Sequence, residues 1–274
     1  MQKIRLIPVI LFRNGLVVQS KGFKRYQALG NPSTIVWRLS NWHSDELVYL
    51  DISREPKYDL RRDDLKHKNI KNIIDILKEI SIKCFMPLTF GGRIQNLDDI
   101  YQRITSGADK ISINSQAIKT PELIEDASKE FGSQCIVISI DAKKIDDCKW
   151  KVYIDGGKTP TEYSPAQWAV EAQNRGAGEI LLNSIDQDGM GNGYDIELIK
   201  SVTQIVNIPV IAMGGVSKWS HFKEGIKVGA SAVAAANIFQ YTENSVYNAK
   251  KYLYDAGFHI RKPEVKSIIT EGDL

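Results

Sequence analysis

The sequence predicts an α/β protein: a (β/α)8 TIM barrel with an internal half-barrel duplication. Three observations predict it. Pro87, Gly91-Gly92 and Gly107-Ala108-Asp109 return as Pro209, Gly214-Gly215 and Gly229-Ala230-Ser231, an offset of about 122 residues, too long for a solenoid unit. Twice that offset nearly spans the 274 residues, and (β/α)8 barrels commonly run to about 250. Short β-rich runs alternate with helical patterns, as they do when parallel strands are joined by right-handed crossovers.

Eight runs stand as the strands: Ile4–Ile10, Leu47–Ile52, Cys84–Phe90, Lys110–Asn114, Ile136–Asp141, Glu179–Ser184, Pro209–Met213 and Ser231–Ala236. Between them, Ile73, Ile74, Leu77 and Ile80 fall at helical spacing, as do Ile196, Ile199, Val202 and Ile205. Thr120-Pro121 and Ser164-Pro165 each place a cap residue before a proline at an expected helix start. We read one barrel domain over residues 1–274, with two segments that break its rhythm. Residues 149–157 (KWKVYIDGG) alternate and end in Asp-Gly-Gly, which predicts an inserted hairpin after the fifth strand. Residues 53–71 form a highly charged insertion after the second, either a solvated loop leading into a helix or a docking surface. Loops after barrel strands lie on the catalytic face, so both should decorate it.

Composition narrows the function classes. A net charge of +3 is too small to argue for nucleic acid, and the five tryptophans are too scattered to form a stacking platform. The apolar stretch Leu6–Phe12 is too short to span a membrane. Cys84, Cys135 and Cys148 form no CxxC pair, which points to a reducing, cytoplasmic setting, and they are expected in or near strands. His43, His67, His221 and His259 lack metal-ligand spacing, so neither a metal nor a cofactor is expected.

Active sites of barrels are built from the C-terminal ends of the strands. There the sequence places Asp51, Asn114-Ser115, Asp141, Asn183-Ser184 and, just beyond, Asp186, Asp188 and Gly189. Gly91-Gly92 and Gly214-Gly215 let the backbone approach a ligand closely. With Asn114-Ser115 and with Ala236-Asn237 they predict two anion sites across the mouth, hence a ligand carrying phosphate at both ends. At the other end, Arg5, Glu46, Lys110 and Glu179 each open a strand. Counting by twos from them gives inward faces through Ile7, Val9 and Leu11, through Val48 and Leu50, through Ser112 and Asn114, and through Leu181 and Asn183. Buried charges need partners, so the four should meet as a salt-bridged plug.

The runs DELVYLDI (Asp45–Ile52), GADKISIN (Gly107–Asn114), FGSQCIVISIDAK (Phe131–Lys143) and RGAGEILLNSIDQDG (Arg175–Gly189) resemble the HisF family, the cyclase subunit of imidazole glycerol phosphate synthase. The resemblance covers nearly the whole chain. It implies a HisH-like glutaminase at the barrel bottom and ammonia passing through a charged gate matched by Arg5, Glu46, Lys110 and Glu179. It also implies phosphate contacts at Gly92, Asn114, Ser115, Asp188, Gly189, Gly215, Ala236 and Asn237, and a catalytic acid at Asp141. The reaction it implies forms imidazole glycerol phosphate and AICAR from PRFAR and ammonia, in histidine biosynthesis.

One acid of that family's pair is missing. Its first strand ends in a pattern like CLDVKDG, where this chain has Val9-Ile10-Leu11-Phe12-Arg13-Asn14-Gly15, and Leu11 neither donates nor accepts a proton. Gln19 replaces a lysine, Asn183 a threonine, Met213 a serine, and Arg93 the third glycine of a GGG turn. A kept gate beneath an altered mouth resembles the HisF-like paralogues of bacterial surface-polysaccharide and nonulosonate clusters. That resemblance implies ammonia supply to a third protein, an amidotransferase acting on a sugar. The alternative is a working cyclase in which Asp51 or a loop residue stands in for the lost acid.

Overall fold

The computed structural model describes residues 3–54, 58 and 72–263. Apart from Ser53, Arg54 and Tyr58, the charged insertion at 53–71 lies outside the described residues. The strands are β1 (Arg5–Arg13), β2 (Leu16–Lys21), β3 (Arg25–Gly30), β4 (Leu47–Asp51), β5 (Leu88–Gly91), β6 (Lys110–Ile113), β7 (Ile136–Asp146), β8 (Lys149–Ile154), β9 (Thr159–Pro160), β10 (Glu179–Ser184), β11 (Val210–Met213) and β12 (Ala232–Ala235). The helices are α1 (Pro32–Asn41), α2 (Ile73–Ser81), α3 (Leu97–Thr105), α4 (Ser115–Lys119), α5 (Glu122–Phe131), α6 (Pro165–Asn174), α7 (Ile196–Thr203), α8 (Trp219–Lys227) and α9 (Ser245–Asp255).

Eight parallel strands run in the order β10, β11, β12, β1, β4, β5, β6, β7, and the pairing of β7 with β10 closes the barrel. The TIM-barrel fold is therefore as the sequence predicts. Alternation along each strand separates two apolar layers. Ile7, Val9, Leu11, Val48, Val137, Leu181, Ile211, Ala232 and Ala234 pack inside the barrel. Ile10, Phe12, Tyr49, Phe90, Ile111, Ile138, Leu182 and Val233 face the helices.

The duplication is visible element by element. β5, α3, β6 and the short α4 correspond to β11, α8, β12 and a 3₁₀ turn at Asn237–Gln240. The hairpins also obey it. β7 continues past the barrel and turns at Asp147-Cys148 into antiparallel β8, so 149–157 supplies the return strand and a second turn leading to β9. β1 likewise continues into antiparallel β2, through Asn14-Gly15 with φ of 48° and 84°. This first hairpin is absent from the sequence reading, although Asn-Gly is the strongest short hairpin signal, being suited to a type I′ turn.

Helix starts follow local chemistry. Asn72, Asn96 and Asp195 accept hydrogen bonds from backbone amides three residues on, and Ser164 forms a capping box with Gln167 ahead of α6. Thr120-Pro121 behaves differently from expectation: Pro121 itself caps α5, and the Thr120 amide closes α4 by donating to the Gln116 carbonyl. Cys84 and Cys135 lie half-buried near strands, but Cys148 is exposed in the hairpin turn with φ of 53°, where no strand covers it. Among the described residues, no helix is long and apolar enough to cross a membrane.

One buried ion pair holds the lower end together. Lys250 of α9, 1% exposed, donates to Asp45 Oδ1 at 2.6 Å and to the His43 carbonyl at 3.0 Å. The other Asp45 oxygen accepts the Leu6 amide at 2.9 Å. Asp45 thus ties together the chain beside Arg5 and the chain beside Glu46. Removing one partner of a buried pair strands the other charge, so Lys250→Ala should cost about 3 kcal/mol. Urea unfolding of both proteins at one pH checks it.

Candidate functional site

At the bottom of the barrel, Arg5, Glu46, Lys110 and Glu179 close a ring of alternating sign. Arg5 Nη1 lies 2.5 Å from Glu46 Oε2 and 3.0 Å from Glu179 Oε1. Lys110 Nζ donates to Glu46 Oε1 and sits 3.2 Å from Glu179 Oε2. The Thr89 hydroxyl reaches Glu46 Oε1 at 3.4 Å. These residues meet because each holds the inward parity at the first layer of its strand. Above the ring the bore is apolar, interrupted by the buried hydroxyls of Ser112 and Ser139.

The bore opens at the top into a cavity of about 550 Å³, within the range of small-molecule sites. Leu11, Asn114, Asp141, Asn183 and Met213 line its floor. Asp141 Oδ2 accepts from Asn114 Nδ2 at 3.0 Å, and Oδ1 from Asn183 Nδ2 at 3.1 Å. Burial pushes the Asp141 carboxyl up to about 7; the two amide donors oppose the shift and the Asp188 charge adds to it. A carboxyl that titrates near neutrality suits proton transfer.

Leu11 lies on the inward face at the same height, 6% exposed, paired with Leu50 and Val18. Asp51 does not occupy its place. Asp51 follows Leu50 and so has the opposite parity, and its carboxylate accepts from the Tyr58 hydroxyl and the Ser53 amide, both at 2.8 Å. Arg93 Nε stands 3.7 Å from Asp51 Oδ2, with its guanidinium 5.1 Å over the Tyr58 ring. Burial raises the Asp51 carboxyl, against these partners.

The glycine turns sit as two related corners. Gly92 and Gly215 have φ of 103° and 93°, and a Cβ there would come within 2.2 Å of the Asp51 carbonyl and 2.1 Å of the Gly193 carbonyl. Close packing thus requires both glycines, whatever they bind. Near Gly92 lie Asn114 and Ser115, whose hydroxyl accepts the Asp155 amide at 2.9 Å. Around Gly215, Gly189, Ala236 and Asn237 enclose a smaller recess of about 20 Å³. Asp188 also borders it, but its carboxylate takes the Ser20 hydroxyl at 2.5 Å and the Phe23 amide at 3.1 Å, so it anchors the first hairpin. Asn237 Nδ2 donates to the Ser20 carbonyl at 3.1 Å.

The two corners differ in charge, which the sequence reading missed. Arg54, Arg93, Lys119 and Lys158 line the main cavity, whereas among the described residues none that lines the Gly215 recess is basic. Gln19 donates to Gln27 at 2.9 Å and accepts from the Tyr241 hydroxyl. Among the described residues, no group of three or more His, Cys, Asp or Glu is placed to hold a metal.

Comparison with known proteins shows the family of the chain. The histidine biosynthesis protein family matches residues 5–245. The imidazole glycerol phosphate synthase subunit HisF of Campylobacter concisus (strain 13826) is 41% identical over 257 residues, covering 94% of this chain and 97% of that protein. The HisF subunit of Bacillus cereus (strain G9842) is also 41% identical, over 258 residues, covering 94% and 98%. The chain belongs to the HisF family. In this HisF-family barrel, Leu11, Arg93, Asn183 and Met213 line the upper cavity, while Arg5, Glu46, Lys110 and Glu179 form the ring at the base.

Asp141 should titrate near pH 7 by carboxyl ¹³C NMR, and Asn114→Ala should raise the midpoint by removing a donor to the charged form. A raised carboxyl binds its proton more tightly in the folded state, so its contribution to stability falls as pH rises from about 4 to 7 and is level above that.

Proposed function

We propose that this HisF-family barrel is the ammonia-conducting half of a glutaminase-coupled pair. It takes ammonia at the charged ring and releases it into the upper cavity, where an anionic ligand is held. The closed ring of Arg5, Glu46, Lys110 and Glu179 beneath an apolar bore is the observation that carries the reading. A structural barrel has no need of four charges at its base, since apolar packing fills such a layer at lower desolvation cost. A small neutral molecule crosses an apolar bore that would oppose its protonated form.

The acceptor we infer is a surface-polysaccharide or nonulosonate sugar, amidated by a third protein at the mouth. Leu11 supports an acceptor other than the cyclase substrate, since cyclase chemistry needs an acid–base partner there and its loss commonly costs about 10²–10⁴ in rate; the sugar is what the resemblance to the surface-polysaccharide paralogues implies. The second reading, a cyclase of histidine biosynthesis, has support from the names of the relatives, from both glycine corners and from Asp141 poised near neutrality. Supplying ammonium and PRFAR to the isolated barrel separates them. We expect turnover at least about 10²-fold below that of an ordinary HisF measured alongside; turnover within tenfold of it establishes the cyclase reading.

The gate has its own test. In the complex with its glutaminase, Lys110→Ala should leave glutamine hydrolysis in place while less of the ammonia reaches the upper face. Arg5 still bridges both glutamates, so thermal unfolding should change little. An unchanged ratio of amine delivered to glutamate formed refutes the gate.

A further inference from the structure

We infer that Arg93, positioned by Arg103, makes the turn after β5 the dominant anion subsite of the upper cavity, seating the phosphate of a phosphomonoester whose other end is uncharged. This rests on the anionic ligand proposed above and names where its charge is held. The half-barrel duplication supplies an internal comparison. The offset that relates Pro87 to Pro209 and Gly107 to Gly229 also relates Arg93 to Gly215 and Arg103 to Gly225. The backbone agrees: Gly92 and Gly214 both have φ of 103°, and Arg93 and Gly215 follow at 57° and 93°. Neither glycine leaves room for a side chain. A Cβ at Gly215 would meet the Gly193 carbonyl at 2.1 Å, and one at Gly225 the Tyr194 ring at 2.8 Å.

Arg93 thus holds a left-handed conformation that its counterpart leaves to glycine, and strain of that kind points to a residue kept for its side chain. The guanidinium lies over the Tyr58 ring, and Arg93 lines the cavity. Its Nε is 3.7 Å from Asp51 Oδ2, too far for a hydrogen bond, because Tyr58 and Ser53 already serve that carboxylate. Arg103 works from behind the turn. It is 2% exposed, and its Nη2 donates to the carbonyls of Gly92 at 3.1 Å and Arg93 at 3.3 Å. Across a trans peptide the N–H points opposite to the C=O. The amides of Arg93 and Ile94 therefore turn away from α3, toward the cavity that both residues line. Neither amide donates to a described residue. Two backbone amides beside a guanidinium form a donor set suited to phosphate. The other cations of the cavity, Arg54, Lys119 and Lys158, follow β4, β6 and β8 on the same half. The facing wall carries Leu11, Phe23, Tyr26 and Met213, which match an uncharged body.

The test titrates the ¹⁵N-labelled full chain with inorganic phosphate, against sodium chloride of equal ionic strength. The Arg93 and Ile94 amides should shift saturably, with half-saturation on the order of 1 mM for so small a ligand. The Gly215 and Asn237 amides of the opposite corner should need about tenfold more, the worth of one charge-assisted hydrogen bond. Arg93→Gly relieves the backbone strain, so the turn keeps its shape while losing the guanidinium. Half-saturation at Ile94 should then rise about tenfold and that at Gly215 stay as it was. Arg103→Met should also weaken the response at Ile94; a merely structural Arg103 would lower thermal stability and leave half-saturation unmoved. Fructose 1,6-bisphosphate should bind within about threefold of fructose 6-phosphate, since a second phosphate that gained a charge-assisted contact would add about tenfold. A tenfold gain from the second phosphate, equal half-saturation in the two corners, or no change in Arg93→Gly overturns the inference and leaves the anionic ligand in place. Shifts that stay linear in both corners mark an adventitious ion only, and remove the inference and the anionic ligand together.

Discussion

The pairing of β7 with β10 closes the sheet, and everything else in the molecule depends on the parity that closure imposes. Once the barrel is shut, every second residue of each strand faces the axis. β1 then sends Arg5, Ile7, Val9 and Leu11 inward, and β10 sends Glu179, Leu181 and Asn183. Each of these two strands carries a charge at the bottom, apolar bulk in the middle and a mouth residue at the top. A slip of one residue would drive the ring charges into the layer that packs against the helices. Ring, bore and mouth are therefore one arrangement, and none of them can shift alone. Lys250 and Asp45 brace it from outside the barrel, next to two of the four ring residues.

The half-barrel duplication gives the upper face two similarly placed fastenings. Two hairpins extend from β1 and β7, and each is fastened to the loops that border the cavity. Ser20 of the first is held by Asp188, and its carbonyl by Asn237. Asp155, in the turn after the second, gives its amide to Ser115. The glycine corners serve the same end, because Gly92 and Gly215 bring the backbone against carbonyl oxygens where any Cβ would collide. A corner built this way exposes backbone to the cavity without a side chain in between.

The eight barrel strands were legible because alternation and turn residues are local signals. Their ends were less so: β5 begins only at Leu88, after Pro87, since the preceding residues form the loop leaving α2. The hairpin at Asn14-Gly15 had a local signal, and the duplication offered a second, because a hairpin after the fifth strand implied one after the first. The state of Asp141 had no local signal. It depends on Asn114 and Asn183, 27 and 42 residues away in sequence, and on burial that only closure creates. Arg93 was visible as a lost glycine, but its partner Tyr58 lies in a stretch whose pairing no periodicity foretells.

The broken symmetry at the mouth is best understood through what surrounds the surviving acid. With a second carboxylate at position 11, repulsion between like charges would keep one proton shared across the pair, the arrangement that lets two acids divide donor and acceptor duties. Leu11 removes that partner, and burial becomes the main force holding Asp141 near neutrality. Two amides then grip its oxygens, which favours a fixed acceptor over one that exchanges protons with a neighbour. The lower ring, by contrast, retains every charge. The chain thus sets four charges at the base of an apolar bore and a single acid, anchored by two amides, at its top, and the proposed movement of a small base rests on that asymmetry.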